Sequence, residues 1–143
     1  MTTLSFQAAV NAQVTLLNDG KPLEAFDEFF APDGLMYAND EIFATGAEEG
    51  HRKQEPYMLA ANSINGLIEG LIIAEPEKIC AFRNRTSFVS SDGATHQIDG
   101  LCWQKWCDGK IVEERYYDGE KMQSVIEKGI LSNPERFLTD AEK

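Results

Sequence analysis

The segment from Asp99 to Asp118, D-G-L-C-W-Q-K-W-C-D-G-K-I-V-E-E-R-Y-Y-D, leaves the chain few ways to fold. Two aromatic-rich runs flank Asp108-Gly109, and Asp-Gly between extended runs signals a hairpin, because a type I′ turn needs positive φ at both central residues. A two-residue turn sets Trp103 opposite Glu114, Leu101 opposite Tyr116 and Asp99 opposite Asp118. The reverse side then carries Cys102, Gln104 and Trp106 against Arg115, Glu113 and Ile111. Upstream, Ile79 to Ser90 alternates as a long strand, and Asp92-Gly93 repeats the turn signal, so Ala94 to Cys107 returns antiparallel.

Chaining the two turns assigns every side chain in three strands to a face. One face collects Phe82, Asn84, Thr86, Phe88, Asp99, Leu101, Trp103, Glu114 and Tyr116. The other collects Arg83, Arg85, His96, Cys102, Gln104, Trp106, Glu113 and Arg115. The first mixes rings with sparse acids and amides, which is what a small-molecule cavity requires. The second reads as a charged outer face or a subunit interface. One bulge anywhere in the pairing would reassign the faces.

Before these strands the pattern is helical. Leu4, Ala8, Ala12, Leu16 and Leu17 recur at helix spacing behind a cap at Thr2 or Thr3, and Asn18-Asp19-Gly20 ends the run. Pro22 to Phe30 forms a second helix with Leu23, Phe26, Phe29 and Phe30 on one stripe. Pro32-Asp33-Gly34 reads as a turn, Leu35 to Asn39 as a short strand, and Asn39 to Gly46 as a loop. Ala47 to Asn62 is a third helix in which Pro56 predicts a kink or restart near Glu55. Ile64 to Glu75 reads as a strand interrupted by Gly66 and Gly70. Beyond Gly119, Glu120 to Lys128 forms a helix stopped by Gly129, and a last short turn leads through Phe137. Helices followed by an antiparallel sheet make an α+β chain.

Composition narrows the function. A chain of 143 residues with 43% hydrophobic content supports one core, and a net charge of −11 disfavours nucleic acid and anionic membrane surfaces as partners. No apolar run reaches spanning length and no basic-then-apolar segment opens the chain, so a soluble cytoplasmic protein is expected. Cys80, Cys102 and Cys107 are an odd count without zinc spacing and read as free thiols. His51 sits in a solvated H-R-K run and His96 beside a turn, so no metal site is expected. Phosphate-binding glycine loops are absent.

Two helices, F-F-A-P-D-G before a first strand, a third helix, and a long sheet ending in W-C-D-G-K-I-V-E-E-R-Y-Y-D together resemble the nuclear transport factor 2-like superfamily. Within it the closest resemblance is to the SnoaL-like, polyketide cyclase and ketosteroid isomerase-like branch, over Leu4 to Asp118. The resemblance implies a cone-shaped α+β barrel: a curved, mostly antiparallel sheet wrapped around helices over residues 1–118. Residues 119–143 would be a helical extension packed on the domain or on a partner subunit. It implies a cavity between sheet and helices, a homodimer formed through the outer sheet face, and acid-base chemistry without a cofactor. In ketosteroid isomerases an aspartate base lies on the first strand; that position falls at Ala38, with Asn39 and Asp40 just beyond. The isomerase tyrosine of the first helix has no match in Leu4 to Leu17. A second family aspartate, held neutral to donate a hydrogen bond, corresponds to Asp99.

Candidate residues follow. Asp99 reads either as a desolvated proton-transfer group or as a strand-edge acid satisfied by water or Thr86. Tyr116 reads as a donor into the cavity or as a packing residue, and Asp40 as an acid at the mouth or on a surface loop. Phe82, Phe88, Leu101 and Trp103 are expected as walls, with Tyr37, Asn39 and Asn84 positioning a small apolar ligand. Two functions fit: an isomerase, cyclase or hydrolase of the SnoaL-like kind, or a binding or protein-interaction module that keeps the cavity without catalysis.

Overall fold

The first helix, α1 (Phe6–Asn18), starts where Ser5 Oγ accepts a hydrogen bond from the Ala8 N–H at 3.1 Å. The structure, a computed structural model, describes residues 5–59 and 61–136; Thr2, Thr3, Leu4 and Phe137 lie outside the described residues. One stripe of α1 buries Phe6, Ala9, Val10 and Gln13, so an amide sits in line with the core residues. Gly20, at φ +76°, turns the chain, and Pro22 opens α2 (Pro22–Phe29), which buries Ala25, Phe26 and Phe29.

The α2 helix runs straight into β1 (Phe30–Ala38), so Pro32-Asp33-Gly34 is an irregularity inside a strand and not a turn that precedes one. Asn39 and Asp40, at φ 50° and 70°, then form a two-residue turn into β2 (Glu41–Thr45). The expected loop is therefore a hairpin. Asn and Asp tolerate the left-handed region well enough to supply both type I′ positions without glycine. The third helix, α3 (Ala47–Leu59), continues through Pro56, which is exposed where the carbonyl it orphans can meet water.

The interrupted strand is two strands, β3 (Ala61–Asn65) and β4 (Ile68–Ala74), broken at Gly66. A Cβ on Gly66 would lie 1.7 Å from the Leu17 carbonyl oxygen, so only glycine lets the end of α1 dock there. Both strands pair with β5 (Ile79–Ser90), followed by β6 (Thr95–Cys107), β7 (Lys110–Tyr117) and α4 (Gly119–Glu127). The seven-stranded sheet runs β2-β1-β7-β6-β5-β3, with β4 as a seventh strand also on β5, and is antiparallel except for β1 beside β7.

Register is where sequence and structure part. The β5–β6 connection is a three-residue loop, Ser91-Asp92-Gly93, closed by Ser90 N–H to Ala94 O at 2.9 Å, with Gly93 at φ +85°. The pairing is consequently Phe82 with Cys102 and Arg85 with Asp99, one residue from the two-residue expectation. The Asp108-Gly109 turn does have two residues, at φ 51° and 78°, pairing Cys107 with Lys110 and Trp106 with Ile111. A bulge at Val112 then shifts the rest, so Gln104 faces Glu114 and Cys102 faces Tyr116.

These shifts divide the buried residues between two faces of the sheet. On the inner face, Phe82, Cys102, Trp106 and Ile111 pack with Phe6, Val10, Phe26 and Phe29 of α1 and α2. On the outer face, Leu101, Trp103 and Tyr117 pack with Met122 and Val125 of α4 and with Ile130. The indole N–H of Trp103 donates to the Pro134 carbonyl at 2.8 Å, tying the segment after α4 across the back of the sheet.

Candidate functional site

A cavity of about 400 Å³ lies between the inner face and the three N-terminal helices. Leu17, Phe26, Met36, Phe43, Met58 and Ile64 form its walls on the helix, β1–β2 and β3 side, and Phe82, Phe88, Ile98 and Ile111 form the floor. Its polar groups are few: Gln13, Gln54, Asn84, Thr86, Gln104, Glu114 and Tyr116, with the Cys102 thiol.

The innermost of these form one network. Gln13 and Gln104 are buried and bond reciprocally: Gln13 Nε2 donates to Gln104 Oε1 at 3.0 Å and Gln104 Nε2 donates to Gln13 Oε1 at 2.7 Å. Gln104 Nε2 also donates to Glu114 Oε2 at 2.7 Å. Gln104 Oε1 accepts further from Trp106 Nε1 at 3.1 Å and meets Cys80 Sγ at 3.4 Å. Glu114 has no cation partner among the described residues. Burial raises its pKa above the ordinary value, and the Gln104 hydrogen bond only partly offsets that. Its accessible surface borders the cavity. Burial likewise pushes the Cys80 thiol to about 12 and the Cys102 thiol well up, so neither is a thiolate nucleophile.

Tyr116 lies across Gly100, the β6 partner of Asn84: a Cβ there would sit 2.2 to 2.3 Å from the Tyr116 ring and hydroxyl. Gly100 therefore lets the phenol lie flat over the strand, toward Asn84 and Thr86. Thr86 donates its hydroxyl to Asn84 Oδ1. Burial raises the Tyr116 pKa, with smaller contributions from the Asp118 and Asp99 charges, so the phenol stays protonated and serves as a donor.

Of the residues expected at the site, Phe82, Asn84, Phe88 and Tyr116 line the cavity. Tyr37 borders it, while its ring lies under the Arg115 guanidinium at 4.3 Å. Asp99, Leu101 and Trp103 are placed on the outer face by the one-residue difference in the β5–β6 loop. Asp99 there bonds Arg83 at 2.9 Å and reaches Arg85 at 3.6 Å. Leu101 and Trp103 are fully buried, against α4. Asn39 exchanges hydrogen bonds with Asp118, at 2.8 and 3.0 Å, and fastens the hairpin tip to the start of α4.

Asp40 also sits outside the cavity, bonded to the Tyr117 hydroxyl and the Lys121 ammonium, each at 2.8 Å. Burial alone would raise its pKa; hydrogen bonds from Lys121 and Tyr117 and the charges of Lys121 and Arg115 outweigh it and lower the value. His51 is clasped by Asp27 at 2.6 Å and Glu55 at 2.9 Å, away from the cavity, and His96 stacks on Phe88 at the inner face's far end. Among the described residues no His, Cys, Asp and Glu cluster could hold a metal.

Gln13, Gln104 and Glu114 line the cavity without having been among the candidate residues, although Glu114 was assigned to the inward face. Gln13 carried a signal: it continues the Phe6-Ala9-Val10 stripe, and a buried amide must find a partner.

No family model matches the sequence, and no curated protein matches it. Solved structures do. A protein from Mesorhizobium loti, provisionally named a SnoaL-like polyketide cyclase, is 21% identical, with TM-score 0.66 over 80% of this chain and 100% of that one. AclR of Streptomyces galilaeus, provisionally named a hydroxylase, is 15% identical, with TM-score 0.65 over 85% of this chain and 93% of that one. TerC, solved in co-crystals with polyporic acid, is 12% identical, with TM-score 0.61 over 88% of this chain and 97% of that one. The chain has the nuclear transport factor 2-like fold, an α+β cone, in the form seen in SnoaL-like proteins.

Proposed function

We propose that the cavity binds a small, mostly apolar molecule carrying a carbonyl or similar acceptor oxygen, and that Glu114 shares or transfers a proton with that oxygen. The observation that carries the reading is a desolvated carboxyl at the cavity wall with, among the described residues, one amide partner and no cation. Such a group is neutral over a wider pH range than a solvated glutamate, so it can donate a hydrogen bond where charge would develop on an enolising carbonyl. Tyr116 and Asn84 supply further polar contacts, and the apolar walls exclude water from the reacting face. Likeness to SnoaL-like structures and to TerC, a protein crystallised with a small molecule, supports a ligand of this kind.

A second reading is a binding module without catalysis. It is favoured by the chemistry around Glu114: burial holds the thiols of Cys80 and Cys102 and the phenol of Tyr116 protonated, which leaves no partner base there among the described residues. Deuterium uptake by 2-tetralone, a bicyclic ketone with exchangeable α-protons, separates the two. The enzyme reading expects catalysed uptake that Glu114→Gln abolishes while tetralone still binds. Binding with no catalysed uptake selects the module; no shift of cavity resonances by tetralone overturns both. We further propose that the protein is a cytoplasmic homodimer, for which sedimentation of the purified chain is the direct check.

A further inference from the structure

Gln104 is more constrained than its neighbours, because one of its partners has a single possible role. Indole nitrogen can only donate, so the Gln104 atom 3.1 Å from Trp106 Nε1 must be the carbonyl oxygen. The amide nitrogen then points the other way, and its two protons go to Gln13 Oε1 and Glu114 Oε2, both at 2.7 Å. The two glutamines could turn over together and keep their reciprocal pair intact. That alternative would set Gln104 N–H against the Trp106 N–H, donor against donor. It would also aim the Gln104 carbonyl at Glu114, where it would take up the carboxyl proton.

We infer that Trp106 is a positioning residue: its indole N–H fixes the Gln13–Gln104 pair so that Glu114 Oε2 is always an acceptor and any proton on Glu114 resides on Oε1, free for a ligand in the cavity. The inference rests on the proposed role of Glu114 and deepens it by naming the ligand chemistry. The site favours a molecule that presents a hydrogen-bond-accepting oxygen, and discriminates against an apolar ring of the same shape without one. The tryptophan is held for this task by its own packing, with Phe6 at 6.1 Å and Phe29 at 5.7 Å between ring centroids. Cys80 Sγ, at 3.4 Å from the same oxygen, can donate or accept and does not decide the orientation.

The orientation is readable in the wild-type protein without any ligand. The NMR cross-peak between the Trp106 indole proton and the Gln104 amide protons is expected to be weak, because that proton faces oxygen; a strong one overturns the inference. The consequence is read with 2-tetralone against tetralin, its analogue without oxygen. Wild type is expected to prefer tetralone about tenfold, the worth of one strong hydrogen bond. Trp106→Phe, which keeps a ring and removes the N–H, should bring the preference close to unity. Phe29→Leu disturbs the same packing without touching the N–H and should leave it intact. Loss of preference in Glu114→Leu but not in Trp106→Phe overturns the lock and spares the functional reading. Retention in both overturns the role of Glu114, and the lock's consequence falls with it.

Discussion

On the inner face of β5, β6 and β7, the Glu114 carboxyl borders the same cavity as Phe82, Ile98 and Ile111 and, among the described residues, meets only an amide. On the opposite side, Asp99 meets Arg83 and Arg85, while Asp40 in the β1–β2 turn meets Lys121 and Arg115. A carboxyl is thus desolvated beside an amide on one side of a sheet and paired with cations on the other. What differs is whether cations and water reach it. The inner face also keeps an unfilled volume, whereas α4 and the segment after it fill the outer one with Met122, Val125 and Ile130 around Trp103. A sheet with one packed face has its rigidity supplied from behind, which leaves the other face free to be hollow.

The strongest way to break that division is to remove the anchor of the packed side. Trp103→Ala deletes a fully buried indole and its hydrogen bond to Pro134. A loss of roughly 3–5 kcal/mol is expected in urea unfolding, because the large cavity left behind cannot collapse completely. Where the variant is still folded, 2-tetralone should bind as before, since Trp103 does not border the cavity. Next in size is Gly100→Ala. Its methyl would meet the Tyr116 ring at 2.2 Å and lift the phenol off β6. Overpacking of this kind costs roughly 1–3 kcal/mol, and here tetralone affinity should fall as well.

The two carboxyls should also give opposite pH responses. Glu114 has a folded pKa above its ordinary 4.5. As pH rises past that value the unfolded chain releases the proton first, so native stability declines until the folded value is passed. Glu114→Gln removes that penalty, and its stability relative to wild type should improve as pH climbs above 4.5. Asp40 has a folded pKa below its ordinary 3.8. Its contribution is complete above 3.8 and is lost as pH falls through the lowered folded value. Asp40→Asn should therefore be the less stable protein at neutral pH, with the gap closing in acid. Because Asp40 is nearly half exposed, solvent screening keeps that gap small. Paired urea titrations across pH 3 to 8, roughly the span in which carboxylates change charge, distinguish the two; slopes of the same sign would mean that the faces are not electrostatically different.

The local signals in the sequence were strong and the register was not. Glycine and proline placed the ends of α1, α2 and α4, and Asp108-Gly109 marks a true type I′ turn, because each of these depends on one or two residues. Face assignment depends on counting along whole strands, and two single-residue events intervene. The loop Ser91-Asp92-Gly93 takes three residues where Asp-Gly suggests two, which turns all of β6 over relative to β5. The bulge at Val112 then turns the far half of β7 over relative to β6. The two shifts cancel between β5 and β7, which is why Phe82, Asn84 and Tyr116 fall together in the cavity as the residues suggest. Between them β6 is inverted, exchanging Asp99, Leu101 and Trp103 for Ile98, Cys102 and Gln104. Glu114 was legible as an inward acid, but the partner that explains it, Gln104, reads as outward until the loop is known. Nothing in the residues 91–93 specifies the longer turn over the shorter, since Gly93 suits either.

The smallest expected effect is the one that tests this inversion most directly. Asp99→Asn removes a side chain that is 48% exposed and bridges Arg83 and Arg85. Exposed pairs of this kind contribute less than about 1 kcal/mol, because the charges are already well solvated and ordering two long side chains opposes the gain. Unfolding midpoints should move little, and less in high salt, where the pair is screened. Tetralone affinity and deuterium uptake should not move at all, because the carboxylate is directed away from the cavity with the full thickness of the sheet between. If Asp99→Asn instead abolished uptake, as is expected of Glu114→Gln, or lowered affinity, then Asp99 would face the ligand. That result would require the two-residue turn at Asp92-Gly93, and Gln104, Cys102 and Ile98 would have to leave the cavity together, since in a strand no single side chain can change face alone.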